Sequence, residues 1–357
     1  MSVTTGMVGH GFYNRNSAPQ MSSIEHVLPW LDAAVADIAL DNATGTIGLA
    51  DFGCSEGRNS ISVMRHLVPA LRRRTSRPIL TVHSDLPTND FSTLFTDLRP
   101  DGPSVFGDPE VFSCAVGGSM FDRLLPPASL HLAFSFNAIG FLSRRPLERL
   151  PGYILPNGPS RIRGVGTVTE AERRIFSTQA SRDVASFLRA RAAELVPGGK
   201  LLIEVFGAGE TLRTCDGIYD VLNDAVLELV AARRIDRAAY EAYYQPVYFR
   251  TLEELTRPVA ADGLPFRIDR QETYEAPVPF NEEFARSGDI VAYARDYTNF
   301  HRAFTEGVLR LAFATHPTLD ALVSDVYARA ERLVREAPDR YPFNYIAVAA
   351  LMSRTSD

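Results

Sequence analysis

Apolar residues along this chain follow two alternating rhythms. Nearly continuous hydrophobic runs fall near 47–52, 79–84, 110–116, 129–136 and 200–206, the last reading KLLIEVF. Runs of this length predict strands buried on both faces. Between them the period lengthens to three and four. Ile61, Met64, Leu67, Val68 and Leu71 share one helical stripe. Val27, Leu28, Leu31, Ala34, Val35 and Ile38 share another, in a helix predicted over 25–40. A longer helical pattern covers about 170–195 and is expected to stop at Pro197-Gly198-Gly199, where glycine ends the helix before the fifth strand. Five strands with helical crossovers predict an α/β fold, a Rossmann-like, doubly wound and mostly parallel sheet.

The alternation breaks after residue 206. Helical stretches are expected near 216–235 and 251–262, a strand at 266–274, a helix near 318–336 and a last strand within 341–352. The aromatic stretch YEAYYQPVYF, 240–249, reads as an exposed polar-aromatic cover over the ligand crevice. Residues 1–24 are rich in Gly, Ser and Asn and show little periodicity. The division expected is therefore a covering segment at 1–24, an α/β core at 25–206, a mainly helical cap at 207–320, and a C-terminal helix and strand at 321–357 that complete the core.

The most telling local pattern is LADFGCSEGRNS at 49–60. A strand ends in Asp51, Gly53 and Gly57 form a tight turn, and an amphipathic helix follows. Backbone that must approach a ligand closely is built this way. The loop is neither GxGxxG nor GxxxxGK[S/T], and it carries Glu56 and no lysine. A nucleoside cofactor without a diphosphate fits better than a dinucleotide, and S-adenosylmethionine is the candidate. The second strand ends in Asp85, at the same sheet edge as Asp51, where a carboxylate can accept both ribose hydroxyls. The plain alternatives are an ordinary strand-to-helix turn with packing glycines, and Asp85 as a cap of the next helix.

Composition narrows the function classes. A formal charge of −6 over 357 residues argues against a nucleic-acid surface. The triplet RRR at 72–74 closes a helix pattern, where positive charge suits the C-terminal dipole. Three cysteines make no disulfide framework, and seven histidines are scattered without metal-ligand spacing. No signal peptide or membrane-length apolar run is found, so a cytoplasmic protein without membrane partners is expected. Among the histidines, His131 reads as a core residue, His83 as a hydrogen-bonding neighbour of the loop, and His10 as part of the covering segment.

Together the motifs resemble the SABATH family of methyltransferases, which act on carboxylates such as salicylate and benzoate or on ring nitrogens. The resemblance runs through FYNRNSAPQ at 12–20, the glycine loop, HSDLPTNDFSTLF at 83–95 and VGGSMFDRLLPPASLHLAFSFNAIGFLS at 116–143. It is fainter in YYQPVYFRTLEEL at 243–255. It implies the class I methyltransferase fold and S-adenosylmethionine as cofactor. For the cofactor it implies Tyr13, Asn16, Ser17, Gly53, Asn59, Asp85, Leu86, Ser119 and Met120, to which the loop and the strand ends at the crevice add Asp51, Gly57, Ser135 and Phe136. For the substrate it implies Gln20, Asn137 and Phe141, with Gln20 and Phe141 beside the reacting carboxylate. Phe12 replaces a family serine. Phe141 stands where salicylate enzymes carry tryptophan, Asn137 where they carry tyrosine, and Thr5 near their lysine. The activity implied is methyl esterification of a small aromatic acid without an obligatory base. The alternative is N- or O-methylation of a heterocyclic nitrogen or a hydroxyl. A homodimer is the assembly the resemblance raises.

Overall fold

In the computed structural model, which describes residues 6–40, 45–99 and 104–356, the five apolar runs are strands. They are β1 (Ile47–Phe52), β2 (Ile79–Asp85), β3 (Val111–Gly117), β4 (Leu130–Phe136) and β5 (Leu195–Phe206). All are parallel, in the order β3-β2-β1-β4-β5. Two further strands, β6 (Phe266–Ala276) and β7 (Tyr345–Arg354), extend the sheet beyond β5 in the order β7-β6. β7 is antiparallel to both its neighbours. Every residue of β1 and β4 is buried, as expected for strands covered on both faces. The doubly wound, mostly parallel sheet is borne out.

Helices cover the sheet on both faces, and the first five are α1 (Phe12–Asn16), α2 (Ala18–Asp37), α3 (Arg58–Arg72), α4 (Phe91–Leu98) and α5 (Glu170–Glu194), of which α1 packs on the later helix Ile290–Ala312 and α4 on α3. The later helices are α6 (Ile218–Ala231), α7 (Arg237–Ala242), α8 (Leu252–Ala261), α9 (Pro279–Ser287), α10 (Ile290–Ala312) and α11 (Leu319–Glu336). Among the described residues, no helix is long and apolar enough to cross a membrane. The arginine triplet is structural: the Arg72 guanidinium pairs with Asp108 and donates to the carbonyl of Arg77, and Arg74 donates to the carbonyl of Ile38.

Four expectations need correction. The helix expected over 25–40 starts at Ala18. Its first turns bury polar Gln20 and Ser23, which interrupt the apolar stripe that would announce them. The helix before β5 ends at Glu194, not at the Pro-Gly-Gly, because Leu195 is already extended. Its last carbonyls are met by the amides of Ala128 and Ser129, so glycine is not needed, and Pro197 to Gly199 lie inside β5 at an irregularity in its pairing with β4. The 240–249 stretch is buried rather than exposed. Tyr240 donates to Asn223 and Tyr244 to the Leu147 carbonyl, so these hydroxyls find partners inside. Finally, α9 and α10 occupy a stretch where no element was expected. The buried stripe of α10 mixes Tyr293, Tyr297, Thr298 and His301 with its apolar residues, and that mixture conceals its period.

Candidate active site

Because β1 to β5 run parallel, their C-terminal ends gather at one sheet edge, where open α/β sheets bind ligands. In the loop after β1, Gly53 (φ 109°) and Gly57 (φ 100°) are left-handed. A Cβ on Gly53 would stand 2.2 Å from that of Ala138, so only glycine lets the two loops meet. The loop is tied to β2 by the Gly53 and Cys54 amides, which donate to the Ser84 carbonyl at 2.8 and 3.0 Å. The Ser55 amide donates to Asp85 Oδ2 and the Leu86 amide to Oδ1, each at 2.7 Å.

Each Asp85 oxygen keeps a lone pair beyond its amide bond. Asp85 lines a cavity of about 410 Å³, and two adjacent acceptors suit the paired hydroxyls of a ribose. Leu86, Ser119 and Met120 line the same cavity, offering apolar faces and one hydroxyl to a purine-sized ring. The residues present therefore fit S-adenosylmethionine. Tyr13, Gln20, Phe136, Asn137 and Phe141 also line the cavity. Asn137 is left-handed (φ 56°), and its Oδ1 accepts from the Tyr345 hydroxyl at 2.5 Å. That bond leaves the Asn137 Nδ2 donor without a partner, as is the Gln20 Oε1 acceptor.

Other residues expected at the site stand outside the cavity lining. Asp51 is buried beneath the loop, where desolvation pushes its carboxyl up to about 7. Ser135 donates to the Phe52 carbonyl at 2.7 Å, and Asn16 to that of Phe12 at 2.8 Å. Gly57 caps α3 over Leu94, Asn59 lies in the first turn of α3, and Ser17 is buried between α1 and α2. Thr5 lies outside the described residues. Among the described residues, no group of three His, Cys, Asp or Glu is arranged to hold a metal. His131 accepts from the Gly48 amide and His83 bonds Ser60. Burial pushes His83 down to about 4, and neither histidine lines the cavity.

Glu56 has a definite task. Its carboxylate accepts from the Gly11 amide at 2.5 Å and the Asn14 amide at 3.0 Å, which fastens α1 to the glycine loop. His10 donates its amide to Asp90, and Val8 its own to the Ala303 carbonyl on α10. The N-terminal segment thus bridges the cofactor loop and the cap. Burial together with the carboxylates of Asp85 and Asp51 pushes the Tyr13 phenol upward, so it remains a hydrogen-bond donor. The aromatic wall was legible only in part. Phe206, Phe249, Phe300, Phe304 and Phe343 all line the cavity, yet they come from β5, the loop after α7, α10 and the approach to β7. Phe206 lies edge-on to Phe141 at 6.0 Å and is tilted against Phe249 at 4.8 Å. Phe249 was signalled by its place in the aromatic stretch 240–249, and for the others the sequence signal was phenylalanine content itself, 21 residues.

The sequence model described as SAM dependent carboxyl methyltransferase matches residues 2–355. The chain belongs to that family. A probable jasmonic acid carboxyl methyltransferase from Theobroma cacao is 28% identical over 75% of each chain. The salicylate carboxymethyltransferase of Clarkia breweri is 26% identical over 99% of this chain and 97% of its own. Among solved structures, a loganic acid methyltransferase with SAH superposes with a TM-score of 0.78 at 24% identity, over 99% of both chains. The expected family, fold, cofactor and methyltransferase activity are all borne out.

In this carboxyl methyltransferase the helix that carries Gln20 also meets a buried acid. Glu204 on β5 accepts from the Ser23 hydroxyl through Oε1, and its Oε2 has no partner. Burial pushes its carboxyl up from 4.5 to about 8. The folded state therefore holds more protons than the unfolded one between those values, and stability falls as pH rises through that window. Glu204→Gln is expected to flatten the decline in melting temperature between pH 5 and 8. A decline as steep as that of the wild type would show that Glu204 is already ionised in the fold.

Proposed function

We propose that the protein converts the carboxylate of a small aromatic acid to its methyl ester. The observation that supports this most is one continuous cavity in which the Asp85 diol acceptors, the polar ends of Gln20 and Asn137, and a wall of phenylalanines all meet. Bound S-adenosylmethionine supplies a methyl group on a positively charged sulfur. The chain's own residues have to hold an anion against that carbon. A carboxylate, with a reference pKa of about 4, is already ionised at neutral pH, so no side chain needs to remove a proton. The Asn137 amide, the Gln20 amide turned with its NH₂ toward the ligand, and the neutral Tyr13 hydroxyl are the donors for its oxygens. The phenylalanine wall fixes the ring and strips water from the nucleophile, so orientation carries most of the rate.

In this reading the bridge formed by residues 6–16 belongs to a covering segment at 1–24. The 207–320 region supplies the acceptor wall over a core at 25–206, and 321–357 completes that core. Small-molecule acids are the ligands. A homodimer would sediment at twice the mass of the 39.4 kDa chain.

The test is a panel of acids, phenols and purines incubated with methyl-labelled cofactor, followed by mild alkali. A methyl ester releases labelled methanol, the expected result. Label held only in alkali-stable products would replace the carboxyl reading with N- or O-methyl transfer.

A further inference from the structure

Glu204 on β5 does not line the cavity, but residues that do surround it. Its register partner on β4 is Phe136, and Phe206 follows two positions on, on the same face of the strand. Its carboxyl lies within electrostatic reach of the phenols of Tyr13 and Tyr345, which line the cavity as well. From α2 the Ser23 hydroxyl donates to Glu204 Oε1. Gln20, a cavity residue, precedes Ser23 by three positions, so the two side chains are neighbours on one helix face. Around this single helical turn two buried oxygens have no partner, Glu204 Oε2 and Gln20 Oε1.

Both oxygens are acceptors while Glu204 is ionised, and two acceptors cannot satisfy one another. One proton on Glu204 Oε2 satisfies both, as native interiors nearly always require. We infer that Glu204 is a positioning residue that donates its carboxyl proton to Gln20 Oε1 and so keeps the Gln20 NH₂ turned toward the acceptor carboxylate. This deepens the proposed function, and its consequence for binding rests on Gln20 meeting that carboxylate.

The pair has two states. With Glu204 protonated, Gln20 presents a donor to the cavity. With Glu204 ionised, the amide turns over, its NH₂ bonds the carboxylate, and Oε1 meets the anion it should hold. Burial pushes the Glu204 carboxyl up to about 8, so the first state prevails at neutral pH and the second above it. The other titratable groups that face Glu204 are phenols: Tyr13 from α1, Tyr274 from β6 and Tyr345 from β7. Burial pushes all three upward, so they stay neutral. β4 offers Phe136 and α2 offers Ser23, whose hydroxyl also lies 3.3 Å from that of Tyr274. The basic groups of β5 and α2 are engaged elsewhere, Lys200 with Asp37 and Asp269, His26 with Glu272.

The first test needs no acceptor. Protein saturated with S-adenosylhomocysteine, isotope-labelled in its glutamine side-chain amides, is followed by NMR as the pH is raised. The Gln20 signals, identified by their loss in Gln20→Ala, are expected to shift in one step near the Glu204 midpoint of about 8. They should stay in place in Glu204→Gln, whose own NH₂ can donate to Gln20 at every pH. No step in the wild type, or the same step in Glu204→Gln, would overturn the inference. If Glu204→Gln does not fold, the carboxyl carbon of wild-type Glu204 has to share the midpoint of the Gln20 amide, and a different midpoint would overturn the pair. Binding gives the second reading. Phenylacetate and benzoate, titrated calorimetrically into the same complex, should bind about tenfold more weakly one pH unit above the midpoint than well below it, since only about a tenth of the protein is then competent. Glu204→Gln should abolish that loss. Acid affinity that holds across the step would overturn the positioning role. A Gln20 step with no acid bound would support the Glu204–Gln20 pair and sink the carboxyl reading alone.

Discussion

Replacing Asp85 with alanine is expected to weaken adenosylhomocysteine binding by about 100-fold or more, because two charge-assisted hydrogen bonds, each worth about 1.5–3 kcal/mol, are lost together. The carboxylate is shared. Inwardly it holds the amides of Ser55 and Leu86, and outwardly its remaining lone pairs face the cavity. The alanine protein therefore loses loop order as well as a ligand contact. Asp85→Asn keeps one acceptor oxygen, while its NH₂ opposes a backbone N–H and loses one inward and one outward bond together. Its affinity should lie between those of the wild type and Asp85→Ala. Titration of folded variants with adenosylhomocysteine checks this. Wild-type affinity in Asp85→Ala would remove the residue from the cofactor site.

Gln20→Ala should divide activity from stability. Gln20 is 5% exposed, and its Oε1 has no partner in the fold. The amide thus contributes little to folding for the burial it requires, which is expected of a group kept for ligand contact. Truncation is expected to lower kcat/KM by about 10²-fold, the scale of a misplaced reacting group. The melting temperature should stay within a few degrees of wild type. Methyl-transfer kinetics and thermal melts on one preparation provide both readings. A large loss of stability with kcat/KM unchanged would make Gln20 a packing residue.

The legible part of the site was the part held in single segments. LADFGCSEGRNS and HSDLPTNDF each carry their own turn chemistry, so Gly53, Asp85 and Leu86 could be placed from local pattern alone. Asp51 and Ser135 show the limit of that reasoning. Both end strands at the correct edge, but one lies beneath the loop and the other turns its hydroxyl to a neighbouring strand's carbonyl. Which way a strand-end side chain points depends on the twist and cover of the sheet, and the pattern of residues does not contain either.

The acceptor pocket lies at the other extreme. Phe141, Phe206, Phe249, Phe304 and Phe343 come from widely separated stretches, and no periodicity links them. α10 brings Phe300 and Phe304 to the site through a stripe too polar to read as a core face. By itself, then, the sequence determined the five parallel strands, the cofactor loop and the family, because buried runs and tight turns are local demands on residue type. Only the tertiary structure decided which aromatic residues form the wall and which polar atoms are left unpaired behind it. Those outcomes depend on how distant segments pack, and packing is settled by shape and hydrogen-bond competition across the whole core.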